Sequence, residues 1–181
     1  MNLVLHTLRC VGHASLPRIA DAAGLPEPEV ESELIDLAVD GLVTRSTGIW
    51  GLTEAGKTAD ADQTTADLDA SGQRFTVRAA YGDFLVLNLE LLDLCSAWQL
   101  RDEATINKKR VLENFSDLND RVGPVLAALP RLSRYRERLN AALARAQAGD
   151  MAELTDSMTS YHVIWFQLHE DLLTTLGIPR T

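Results

Sequence analysis

The run LPRIADAAGL at residues 16–25, continued by VESELIDLAVDGLVTR at residues 30–45, decides how the N-terminal part folds. Leu16, Ile19, Ala20 and Ala23 repeat at helical spacing. Ser15 stands where an N-cap belongs, and Pro17 suits a first helical turn. Gly24 supplies the stop, where a left-handed backbone costs little. Val30, Leu34, Leu37 and Ala38 form the stripe of the next helix, opened by Pro26 and Pro28 and closed by Gly41. Upstream, Leu5, Leu8 and Val11 share a face with Val4 beside it, and Gly12 ends that segment. Downstream, residues 42–45 and 49–52 are short β-prone runs joined by Ser46-Thr47-Gly48, the pattern of a hairpin.

Helix, helix, turn, helix and hairpin is the order of a winged helix-turn-helix. The Ile19-Ala20-x-x-x-Gly24 spacing resembles that motif. Residues 30–45 are similar to the third helix and wing of the MarR-like regulators, and GLTEAGK at 51–57 to the stretch that leaves their wing. The two-part chain also resembles actinobacterial winged-helix regulators. The resemblance implies a winged helix over residues 1–57, hence a DNA-binding transcription regulator. The residues placed to meet double-stranded DNA are Arg18 opening the second helix, Ser32 on the third, Arg45, Ser46 and Thr47 at the hairpin, and Lys57.

Charge complicates that reading. The chain of 181 residues has a net charge of −9. Residues 1–60 hold four basic side chains (Arg9, Arg18, Arg45, Lys57) against nine acidic ones, a balance of −5. The first half of the third helix reads PEPEVESE at 26–33, without Lys, Arg, Asn or Gln. Such glutamates suit a helix N-terminus, and a glutamate can accept a hydrogen bond from cytosine. Binding a polyanion nevertheless requires cations at the phosphates. Two readings therefore stand: a DNA-binding regulator, or a non-DNA-binding adaptor that uses an acidic winged helix to hold a protein partner.

Residues 58–73 are acidic and rich in Ala, Thr and Asp, with Leu68 as the one large apolar side chain, and read as a linker or connecting helix. Residues 74–181 read as an all-helical dimerisation and effector domain. Long helices are expected over 74–100, 111–129 with a break at Gly123-Pro124, 132–148 and 157–176, with a loop over 101–109. The fold class is thus mainly α. Leucine-rich helices of this length in a small bundle point to a homodimer. A small-molecule effector would lie in a pocket lined by Trp98, Tyr161, His162, Trp165 and His169; the same residues also suit a buried aromatic seam. Residues 132–148, with Arg131 ahead of them, are the most basic stretch and read as a solvated face pairing with acidic neighbours. Residues 142–162 are weakly similar to the closing helices of GntR-type effector domains, without that family's Asp-x-x-x-His pair.

Other chemistries find little footing. GLTEAGKT at 51–58 matches the phosphate-loop pattern, but it follows a short hairpin strand and precedes no parallel-sheet pattern, so it reads as strand end and helix cap at Thr53. His162 and His169 are seven residues apart, about 10.5 Å of helical rise, too far to chelate one ion unaided. A carboxylate such as Glu90 or Asp93 would have to complete such a site, and neither metal nor cofactor is expected. No nucleophile–base motif appears, so no enzymatic activity is expected. Two cysteines far apart, no membrane-spanning run and no signal-peptide pattern predict a cytoplasmic protein.

Overall fold

A computed structural model describes residues 1–101 and 106–179. The apolar stripes become α1 (Leu3–Val11), α2 (Leu16–Ala23) and α3 (Glu27–Val39), with a two-residue strand β1 (Ala14–Ser15) between the first two. Asn2 caps α1 by accepting a hydrogen bond from the Leu5 amide at 2.8 Å. Strands β2 (Val43–Ser46) and β3 (Ile49–Leu52) pair antiparallel, and β3 also pairs antiparallel with β1, giving the order β1-β3-β2. Ser46 lies opposite Ile49, so it belongs to the strand, and the turn is only Thr47-Gly48. Both turn residues have positive φ, 49° and 83°. That geometry matches the twist of the flanking strands. Leu5, Leu8, Ile19, Val30, Leu34, Val43 and Trp50 pack with smaller neighbours into one core.

The acidic stretch after the hairpin is helical throughout, as α4 (Glu54–Ser71). Its buried positions are Gly56, Asp60, Thr64 and Leu68, one every fourth residue. Three of the four are small or polar, so no apolar stripe announces the helix. Thr53 Oγ1 accepts from the Gly56 amide at 3.0 Å and donates to the Gly41 carbonyl at 2.8 Å. A Cβ on Gly56 would sit 2.0 Å from the Leu42 carbonyl oxygen. The phosphate-loop pattern therefore covers a strand end, a cap and a close helix–backbone contact. Lys57 Nζ donates to Glu54 at 2.7 Å on the helix surface.

The remaining elements are α5 (Arg74–Gln99), α6 (Lys108–Arg121), α7 (Gly123–Leu126), a 3-10 turn (Pro130–Leu132), α8 (Ser133–Gln147), α9 (Ala152–Thr155) and α10 (Tyr161–Leu176). The chain is mainly helical, and no described helix is long and apolar enough to cross a membrane. The loop expected over 101–109 falls partly on 102–105, outside the described residues, and α6 begins within its end. The last helix starts at Tyr161, four residues later than its pattern suggests. The cause is Glu153, whose carboxylate accepts from Arg145 at 2.6 Å, Ser157 at 2.7 Å and Thr159 at 2.9 Å and gathers residues 153–159 into a short helix and turn. Contacts divide the chain into two compact units. One runs from Met1 to Arg74 and takes in the chain again from His169; the other is Phe75–Leu168. The sequence-based division at residues 57 and 74 keeps 74–181 together, whereas the contacts return the second half of α10 to the first unit.

Gly56→Ala is expected to destabilise the first unit by about 3 kcal/mol, since the new methyl meets main chain that cannot swing aside. Chemical denaturation followed by Trp50 fluorescence checks this, and an unchanged midpoint would refute it.

Candidate functional site

The exposed side of α3 carries Glu27, Glu29, Glu31, Ser32 and Asp36. Two apolar side chains share that exposure, Ile35 at 51% and Val39 at 82%. Arg45, Ser46 and Thr47 stand together and exposed at the hairpin. The Arg45 guanidinium lies over the buried Trp50 ring, 5.2 Å from its centroid, so a cation–π contact steadies it at the surface. Arg18 is half-buried on α2, Ser32 exposed on α3, and Lys57 on α4 is paired with Glu54. Of the six residues singled out for DNA, the hairpin thus gathers three.

In the second unit, Tyr161 and Trp165 are buried among aromatic rings. Trp165 stacks on Phe84 at 5.1 Å, and Tyr161 meets Phe115 edge-on at 5.4 Å. Their polar tips are satisfied: Trp165 Nε1 donates to Asn88 Oδ1 at 3.0 Å and Tyr161 Oη to Asn119 Oδ1 at 3.4 Å. Burial pushes the Tyr161 phenol above its ordinary pKa and the half-buried His162 below its own. Trp98 is buried under the Arg101 guanidinium, 3.8 Å from the ring centroid, and borders a cleft of about 320 Å³ with Asn107 and Arg110. His169 belongs to the first unit. Glu90, considered as a metal ligand, is gripped by Arg121 through two hydrogen bonds of 2.6 and 2.7 Å. The arginines of the basic stretch are engaged too: Arg136 with the Asn119 carbonyl at 2.6 Å, Arg138 with Gln167 at 2.7 Å, Arg145 with Glu153.

The most concentrated chemistry lies in the first unit, on side chains not selected by sequence. His6 on α1 has no exposed surface. Its Nδ1 is 3.0 and 3.2 Å from the two carboxylate oxygens of Asp60 on α4. Its Nε2 is 3.2 Å from Asp171 Oδ1 on α10 and 3.7 Å from Cys10 Sγ on α1. Both carboxylates are fully buried. Thr64 donates to the Asp60 carbonyl, and Thr175 donates to Asp171 Oδ1 at 3.2 Å. Burial alone would lower the His6 pKa, but the Cys10 sulfur, the Asp171 charge and the hydrogen bonds to Asp171 and Asp60 together hold it well above the usual value. The imidazole can therefore carry a proton between two anions, and its nitrogen, the sulfur and the Asp171 oxygen are all atoms that bind transition metals.

One signal for this cluster is present in sequence: His6 and Cys10 are four apart, the spacing that puts two donors on one helix face. Asp60 and Asp171 give none, because one sits in an acidic stretch and the other in the last amphipathic helix. No family model, curated protein or solved structure matches the chain.

His6→Ala is expected to cost roughly 3–5 kcal/mol of stability at neutral pH, because it leaves two buried carboxylates without their shared partner. Urea titration of variant and wild type checks the figure; a change below about 1 kcal/mol would show that the carboxylates do not depend on the ring.

Proposed function

We propose that the first unit is a winged helix-turn-helix and that the protein is a DNA-binding transcription regulator. The observation that carries this reading is the element order: three helices, then an exposed hairpin whose second strand pairs with the short strand after α1. The hairpin then acts as the wing and α3 as the helix of the turn motif. Because α3 presents carboxylates, phosphate contacts fall to Arg45 with Ser46 and Thr47 at the wing, helped by Arg18. The second unit supplies a homodimer contact and a place for a small effector. Support for the dimer is the exposed apolar stripe of α5, where Leu85, Leu89 and Leu92 are 40%, 66% and 44% exposed at spacings of four and three.

One observation favours the second reading, an adaptor for a protein partner. Ile35 and Val39 are exposed amid the carboxylates of α3, and an apolar strip bordered by acid suits a basic amphipathic segment better than a phosphate backbone.

A mobility-shift titration on the region upstream of the gene, beginning at about 50 mM salt, separates the two. The regulator reading expects sequence-selective binding, lost or strongly weakened in Arg45→Ala, with the salt slope reduced by about one. No shift by wild type at low salt, together with a co-purifying protein lost on Glu31→Lys, would establish the adaptor instead. Light scattering at tens of micromolar should return a dimer mass that falls to the monomer in Leu89→Glu; a wild-type monomer would refute the α5 contact.

A further inference from the structure

We propose that His6 Nε2, Cys10 Sγ and Asp171 Oδ1 are the ligands of a zinc ion in the first unit, with Asp60 fixing the ring through Nδ1. Such an ion would hold this unit together whether or not the unit meets DNA.

Four observations converge on it. The first is the size of the donor triangle. Nε2 is 3.2 Å from Oδ1 and 3.7 Å from Sγ, and all three donor atoms lie within 4.8 Å of one another. A tetrahedral zinc, with bonds of about 2.0–2.3 Å, has ligand–ligand edges of about 3.3–3.6 Å. The second is the orientation of the ring. Asp60 meets Nδ1 with both oxygens, so Nδ1 keeps its hydrogen and Nε2 is left to coordinate. A carboxylate behind the ring is the usual support of a metal-bound histidine. The third is the donor set. One nitrogen, one sulfur and one oxygen suit zinc and its neighbours, whereas calcium and magnesium take oxygen ligands. The fourth is charge. Two buried carboxylates and a thiol share one imidazole. A divalent ion neutralises Asp171 and the Cys10 thiolate directly, and the Nδ1 hydrogen still faces Asp60. The fourth coordination place falls to the second Asp171 oxygen or to a water.

Binding exchanges protons for the ion: the thiol gives up its proton, the imidazolium gives up the one on Nε2, and both pass to solvent. No redox change accompanies the step. The cluster is fully buried, so the ion enters only when the helices part, and exchange should be slow.

The test uses the full chain stripped with a chelator, then titrated with cobalt(II) and with zinc. Cobalt should bind at one ion per chain, with ligand-field bands of tetrahedral intensity and a near-ultraviolet thiolate charge-transfer band, and zinc should displace it. Zinc at about 100 times its dissociation constant should raise the thermal midpoint by roughly 5–10 °C. Cys10→Ser, a small change at a buried site, should remove the charge-transfer band while circular dichroism shows the fold intact. Asp60→Asn should keep the band and weaken binding by about 10–100-fold. Absence of the band in wild type would overturn the assignment. Its persistence in Cys10→Ser would do the same, because the thiolate would then be Cys95.

Discussion

The His6 imidazole joins three helices that are far apart in sequence. It stands on α1 and faces Asp60 on α4 through one nitrogen and Asp171 on α10 through the other. All three side chains are removed from water. Removing charges from water costs several kcal/mol each, so none of them is tolerable alone, and each is tolerable only because the others arrive. The first unit therefore requires a segment from the far end of the chain, and the second half of α10 is part of it. A strongly directional polar contact of this kind specifies one seating of a helix where an apolar contact would accept several.

Electrostatics also sets the terms for any partner of the first unit. Its outward third helix is acidic with exposed Ile35 and Val39, and Arg45 supplies the cation at the hairpin. If the partner is DNA, affinity then depends on a few wing contacts, and its salt slope is correspondingly shallow. If it is a protein, the same surface offers an apolar strip with an acidic border. In the second unit Arg136 engages a main-chain oxygen and Arg145 a carboxylate, while Leu85, Leu89 and Leu92 of α5 are exposed.

The first three helices and the hairpin were legible because their signals are local. Apolar residues repeat at helical spacing, glycines mark the ends, and Thr47-Gly48 can adopt the turn. Helix α4 was half-legible: its buried face is Gly56, Asp60, Thr64 and Leu68, and a periodicity of small and polar residues does not register as an apolar stripe. The start of α10 was misplaced for a similar reason, since the Glu153 network with Arg145, Ser157 and Thr159 outweighs the helical preference of residues 157–160. Of the aromatic residues selected for a pocket, Tyr161 and Trp165 sit within a packed seam. The His6 cluster escaped because it is assembled from positions separated by up to the length of the chain. Only the His6–Cys10 pair, four residues apart on one helix, leaves a local signal.

One buried histidine couples α1, α4 and the second half of α10. Hydrogen exchange of the Asp171→Asn variant, resolved by segment, tests it most directly. The expected result is a joint loss of amide protection across Leu3–Val11, Glu54–Ser71 and residues 171–176, with α6 and α8 of the other unit unchanged. Loss confined to residues near position 171, with α1 and α4 as protected as in wild type, would contradict it.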